Sequence, residues 1–203
     1  MLSKIIKMYT KSEFSHVSIS MDLELQQMYS FGRLNPYNPF LGGFVHEDIN
    51  SGTFGRFKKT KSAVYSLEVD DEEYERMQET IKSIQEAKKP YRFNTIGLFA
   101  VALKLRIQQK NSFYCAEFVK HVLENSGIET KLPKIIRPDD FKYLENLKLE
   151  YEGKFREYKP KQNSRKQNDF RNELKSFATN CPNIINEIQI NGIRGIGECA
   201  ERG

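Results

Sequence analysis

The segment 14–21 constrains the fold most, because apolar and polar side chains alternate there at period two. One side carries Val17, Ile19 and Met21, and the other carries His16, Ser18 and Ser20. Period two is typical of a β-strand that buries one face. The pattern therefore predicts a strand whose polar face presents a histidine among serines.

Strand patterns cluster early in the chain and helical patterns follow. Residues 23–31 and 63–69 predict two more strands, the first joined to the histidine strand by a turn around Asp22. Residues 32–62 are rich in Gly, Pro and Asn and predict a long structured loop. Helices are expected over residues 71–87, 95–108 and 112–125, with a short one starting at Pro138. This order favours the α+β class.

Local capping signals support two of these helices. Asp70 and Glu73 have the spacing of a capping box before the apolar repeat of residues 74–84. Ser112 is expected to cap the helix over residues 112–125, and Gly127 stands where a left-handed C-cap belongs.

Apolar runs and cysteine usage restrict the class of protein. The longest apolar run, residues 96–103, is far shorter than the roughly 20 residues of a membrane span. The first residues show no signal-peptide pattern, and three cysteines without one argue against a disulfide framework, so we expect a cytoplasmic protein. The cysteines and histidines have no paired metal-ligand spacing. We therefore predict neither a metal nor another cofactor.

The basic excess is local. Residues 154–175 hold eight Lys or Arg against three Asp or Glu, an excess equal to the net charge of +5 of the whole chain. We therefore divide the chain into a domain at 1–153 and a basic linker with a C-terminal tail of unknown role at 154–203. In that tail, residues 169–179 favour a short helix and residues 184–190 a strand. Aromatic residues are not interleaved with these charges, so the segment is interpreted as a solvated linker rather than a nucleic-acid site.

Cys115 is the candidate nucleophile. If Ser112 caps its helix, Cys115 is the third helical residue, close to unpaired backbone N–H groups and the positive end of the helix dipole. Such an environment favours the nucleophilic thiolate. The competing interpretation is a small apolar residue in the core, since Phe118, Val119 and Val122 share its face.

A nucleophilic cysteine needs a base, and the base needs an orienting partner. His16 is the best base, because it lies on the polar face of its strand. Tyr29 and Ser30 on the neighbouring strand, and Glu47 in the long loop, are the candidate partners of His16. The spacing leaves the choice among them open.

These segments resemble the circularly permuted branch of the NlpC/P60 papain-like superfamily. The resemblance is carried by four stretches: Ser15-His16-Val17-Ser18-Ile19-Ser20, Met28-Tyr29-Ser30-Phe31-Gly32-Arg33, the loop from Asn35 to Val45, and Phe113-Tyr114-Cys115-Ala116-Glu117-Phe118-Val119. The histidine strand precedes the cysteine helix, as in the permuted group, and Pro138-Asp139-Asp140-Phe141 is similar to an element that follows that helix. The resemblance covers about residues 5–150.

The resemblance implies a small antiparallel sheet packed against the cysteine helix, and a thiol peptidase or amidase. In that reaction Cys115 attacks an amide or ester carbonyl while His16 moves the proton. Some permuted relatives handle acyl chains, so an acyltransferase or lipid-acyl hydrolase is an alternative, with which Phe40, Phe44 and Phe54 are compatible. A catalytically inactive module that binds a peptide or partner is the other. The expected substrate is a peptide, an amide or a lipid ester, and the sequence does not indicate an oligomeric state.

Overall fold

The computed structural model describes residues 14–35, 37–87, 91–94, 111–160 and 194–200. In chain order the strands are β1 (His16–Ser20), β2 (Met28–Asn35), β3 (Asn38–Glu47), β4 (Lys61–Leu67), β5 (Arg92–Phe93), β6 (Ser112–Phe113), β7 (Leu147–Lys154) and β8 (Arg194–Ala200). The α-helices are α1 (Gly52–Arg56), α2 (Asp71–Gln85) and α3 (Cys115–Asn125), and two 3₁₀ helices span Pro138–Tyr143 and Phe155–Glu157.

Six of these strands form one antiparallel sheet in the order β3-β2-β1-β8-β4-β7. The short strands β5 and β6 pair in parallel as a second, two-stranded sheet. The expected mixture of helices with a small antiparallel sheet is confirmed at this level.

Helices α2 and α3 bury their apolar stripes in a shared core. Helix α2 contributes the side chains that repeat at helical spacing in the sequence: Tyr74, Met77, Ile81 and Ile84. Phe118 and Val119 of α3 pack with Val17 and Ile19 of β1 in the same cluster. The capping box at the start of α2 is present as predicted, with the Glu73 amide 2.7 Å from the Asp70 carboxylate. A second cluster is formed by Leu25, Met28, Phe54, Val64 and Phe155.

The second predicted strand is placed wrongly in the sequence analysis. It was expected over residues 23–31, but β2 begins at Met28. The Asp22 carboxylate accepts from the amides of Gln26, at 2.8 Å, and Gln27, at 2.7 Å. Leu25 has a positive φ of 57°. These bonds hold residues 22–27 in a turn, so the strand starts later.

The predicted long loop over residues 32–62 is also wrong. Most of it is a hairpin of β2 and β3, paired from Met28–Glu47 to Asn35–Asn38, followed by α1. One of its glycines, Gly42, is required by packing rather than by a turn. A Cβ built on Gly42 would lie 2.6 Å from Cγ of Phe93, so only glycine lets β5 approach β3 this closely.

The sequence-based division of the chain at residue 153 stays a prediction. The described residues up to Tyr158 and those of β8 belong to the first of two compact units. Phe155 is 1% exposed, and β8 pairs with both β1 and β4 in the first unit. The helices expected over residues 95–108 and 169–179, and the strand over 184–190, lie outside the described residues. Within the described ranges, no helix is long and apolar enough to cross a membrane.

Candidate active site

Three of the predicted site residues lie at the ends of three elements. His16 is the first residue of β1, Glu47 is the last residue of β3, and Cys115 is the first residue of α3. Asp139 holds the approach to β1, because its carboxylate accepts from the Phe14 amide at 2.9 Å. The 3₁₀ helix expected at Pro138 therefore fixes the chain two residues before His16.

The structure brings Glu47 to His16. Nε2 of His16 lies 2.9 Å from Oε1 of Glu47, and the Glu47 side chain is only 8% exposed. The other carboxylate oxygen, Oε2, accepts a short hydrogen bond from the Ser18 hydroxyl. Glu47 thus binds two residues that share one face of β1, and both of its oxygens are occupied.

Glu47 reaches β1 across the intervening strand β2, beside Gly32. Gly32 is the residue that matters: a Cβ built on it would lie 3.4 Å from both Oε1 of Glu47 and Cε1 of His16. Strand β1 pairs with β2 at Ile19–Tyr29 and Ser20–Met28. Toward His16, the Ser30 hydroxyl instead donates to the Val17 carbonyl at 2.9 Å.

His16 also contacts Cys115. Burial alone lowers the pKa of His16, but the charge of Glu47 and the hydrogen bonds with Cys115 and Glu47 outweigh burial and raise this pKa well above 6.5. Because Nε2 is occupied by Glu47, Nδ1 is the ring nitrogen left to face the sulfur. The imidazolium that a raised pKa favours is the form that pairs with a thiolate.

The start of α3 differs from the sequence-based expectation. Ser112 does not cap the helix: it lies in β6, Tyr114 is the N-cap, and Cys115 is the first helical residue rather than the third. The Tyr114 amide donates to the Glu117 carboxylate at 3.2 Å, and the Asn94 amide group donates to the same oxygen at 3.3 Å. The Cys115 amide has no acceptor within the helix, so it can donate to a developing oxyanion beside its own sulfur.

Access to the sulfur is restricted. Cys115 is 4% exposed, whereas the His16 side chain is 20% exposed. The Phe54 ring lies 6.3 Å from the His16 ring and packs edge-on against Phe155. A reacting group therefore has to approach along the His16 side, next to the apolar surface of Phe54.

The other candidates lie elsewhere. Tyr29 stacks on Phe44 at 5.8 Å, and Ser30 binds the Val17 carbonyl, so neither is bonded to His16. Nε2 of His46 meets the Gln26 carbonyl at 2.8 Å, although His46 is the chain neighbour of Glu47. Phe44, invoked for an acyl-chain site, packs on Phe31 and Phe118 in the core, and the Phe40 side chain lies outside the described residues.

The sequence analysis did not single out Ser18 or Gly32. Ser18 follows His16 by two residues and is fully buried, so period two already places both side chains on one face. Gly32 lies two residues after Ser30 on the same face of β2. Two small residues on one face of a strand indicate that a neighbouring group passes close to the backbone. Among the residues that the structure describes, no three His, Cys, Asp or Glu converge as a metal site.

Comparisons with protein-family models, with curated proteins and with solved structures find no match for this chain.

Proposed function

We propose that this chain is a cysteine hydrolase of the permuted papain-like type that cleaves an amide or ester, with Cys115 as nucleophile, His16 as base and Glu47 as the residue that orients His16. The observation that supports it most is the position of His16, with Glu47 2.9 Å from Nε2 and with Cys115 near enough to contribute to the raised pKa of the imidazole. A core cysteine has no need of an imidazole held in this way.

The proposed reaction has two steps, acylation of Cys115 and hydrolysis of the thioester. His16 Nδ1 takes the thiol proton, and Sγ of Cys115 bonds to the carbonyl carbon while the C=O electron pair moves onto oxygen. The Cys115 amide donates to that oxyanion. When the intermediate collapses, the bond to the leaving nitrogen or oxygen breaks, and the leaving group takes the proton from His16. Water then attacks the thioester, gives its proton to His16, and releases the acid as Sγ regains a proton.

Glu47 and Ser18 act on the base. Nε2–H of His16 donates to Glu47, so the ring keeps Nδ1 toward the sulfur in both protonation states. The Ser18 hydroxyl holds the second carboxylate oxygen and so fixes the direction of the first. Ser18 is a positioning residue in this scheme, and Gly32 supplies the space in which the carboxylate crosses β2.

The test is to trap the acyl-enzyme. The purified full-length chain is mixed with a p-nitrophenyl ester, and intact-mass and peptide mass spectrometry follow the acyl adduct over time. We expect one adduct on Cys115 that decays in water, and no adduct with Cys115→Ala or His16→Ala. His121→Ala is the matched control, because His121 lies on α3 with its ring against Phe113, away from the sulfur.

Two results contradict the proposal. The first is an adduct spread equally over Cys115, Cys181 and Cys199, or unaffected by His16→Ala. The second is a Cys115 adduct that persists in water and disappears only when an amine or alcohol acceptor is added, which indicates an acyltransferase instead.

A further inference from the structure

The end of the β2–β3 hairpin exposes an unusual amount of apolar surface. Leu34 is 52% exposed, Tyr37 77% and Leu41 50%. The other large exposed apolar side chains among the described residues, Tyr143 and Leu149, lie elsewhere in the fold. Leu34 follows Arg33 on β2, and Leu41 precedes Gly42, the partner of Arg33, on β3, so both leucines lie at the end of the hairpin where the register shifts. Single exposed apolar residues are ordinary, but three at the end of one hairpin indicate a contact surface.

Basic side chains surround this apolar group. The Arg56 guanidinium lies 4.3 Å from the centre of the Tyr37 ring, and Arg33 and Arg56 lie 5.7 and 5.3 Å from the Phe57 ring. These contacts join the hairpin end to the segment after α1, where Lys58 and Lys59 are exposed. We call this set the hairpin-tip surface: Arg33, Leu34, Tyr37, Leu41, Arg56, Phe57, Lys58 and Lys59.

The positive charge of the hairpin-tip surface favours an anionic partner. Neither residues 31–46 nor residues 51–67 contain an Asp or Glu. Outside residues 154–175 the chain carries no net charge, so this acid-free region is a local basic feature of a balanced body. A surface that combines protruding leucines, an aromatic ring and lysines matches an anionic lipid bilayer, where apolar tips enter the acyl region and cations meet the headgroups.

We propose that the hairpin-tip surface docks this protein on membranes that contain anionic lipids. A nucleic acid fits less well, because leucines offer no stacking face for bases and Tyr37 is the one strongly exposed ring on this surface. The inference does not depend on catalysis. If the proposed function also holds, docking brings the membrane close to the site, because Gly32, where an added Cβ would meet His16 and Glu47, is only two residues from Leu34 along β2.

The experiment is co-sedimentation of the full chain with phosphatidylcholine vesicles, with and without phosphatidylserine. We expect binding only when phosphatidylserine is present, and weaker binding as salt is added. Lys58→Ala and Lys59→Ala should each weaken binding about fivefold. Leu34→Ser combined with Leu41→Ser should abolish it, while thermal unfolding and acylation of Cys115 stay unchanged.

Matched controls separate this surface from generic attraction. Tyr143→Ser removes an equally exposed ring elsewhere, and Arg165→Ser with Lys166→Ser removes charge from the basic segment 154–175; both variants should bind as the parent does. The proposal is overturned if vesicle binding is lost only in the Arg165 and Lys166 variant. It is also overturned if the variant with serine at Leu34 and Leu41 binds vesicles as well as the parent chain. A third result also contradicts the proposal. In that case the parent chain binds a single-stranded oligonucleotide but no vesicles, and the variants of the hairpin-tip surface lose the oligonucleotide binding.

Discussion

Replacing Glu47 with Gln keeps the size of the side chain and removes its charge. At 2.9 Å the attraction between the carboxylate and a protonated His16 is about 6 kcal/mol at an effective dielectric of about 20. Desolvation of the two groups offsets most of this, and a hydrogen bond to a charged group is worth about 1.5–3 kcal/mol net. At about 1.4 kcal/mol for each factor of ten, Glu47→Gln should slow acylation of Cys115 about 10- to 150-fold.

The assay is the single-turnover release of p-nitrophenol by excess enzyme, which reports acylation alone. Glu145→Gln is the control, because it removes the same charge from an exposed pair with Lys131. Tyr29→Phe and Ser30→Ala remove the two alternative partners that the sequence suggests. If Glu47→Gln acylates at the parent rate while either of these two variants is slow, the assignment of Glu47 as the orienting residue is wrong.

Three further outcomes follow from the same geometry. Gly32→Val should separate Glu47 from His16 and reduce acylation by a factor similar to that for Glu47→Gln, with the histidine pKa measured by NMR falling toward 6.5. Ser18→Ala leaves a buried carboxylate oxygen without its donor, so the free energy of unfolding in urea should fall by about 1–3 kcal/mol and the pH profile of acylation should shift. Ser18→Thr keeps the hydroxyl and should keep the parent pH profile. Ser20→Ala removes a hydrogen bond to the Asp22 carbonyl, so it should lower stability without shifting that profile. The pKa of His16 is raised in the folded state, so protonated His16 stabilises the fold fully below about pH 6.5, and this contribution is lost as the pH rises through the folded-state pKa. In urea titrations, the difference in unfolding free energy between the parent chain and His16→Gln should therefore shrink at alkaline pH.

Local patterns predicted the elements that depend on local physics. The alternation of residues 14–21 identified β1, and the Asp70–Glu73 capping box with its helical repeat identified α2. Gly127 has a φ of 98° after α3, as its position indicated, and Pro138 opens a 3₁₀ helix. In each case the deciding interaction is within a few residues along the chain.

The features that were mispredicted depend on distant partners. Gly42 and Gly32 resemble loop residues until Phe93 and the His16–Glu47 pair are seen to lie against them. Ser112 has the chemistry of an N-cap, but pairing with β5 places it in a strand, and Glu117 serves the Tyr114 amide instead. The pairing of β8 with β1 joins residues that no local pattern connects.

The candidate site shows the same division. Cys115 and His16 were chosen as candidates from the patterns of their own elements, whereas the choice among Glu47, Ser30 and Tyr29 needed the course of β2 and β3. The His16–Glu47 bond spans 31 positions, and Glu47 ends β3, a strand in a segment that was expected to be loop. The spacing of residues in the sequence does not show which of these three polar side chains contacts His16.

The central claim is that His16 and Cys115 form a coupled pair, and the pH dependence of Cys115 alkylation tests it most directly. Iodoacetamide labelling of the native chain, followed residue by residue with mass spectrometry, is compared with the His16→Ala variant and with the urea-unfolded chain. We predict that native Cys115 reacts faster than the unfolded thiol at mildly acidic pH, and that His16→Ala removes this advantage. Equal rates in the native, variant and unfolded chains at that pH contradict the account.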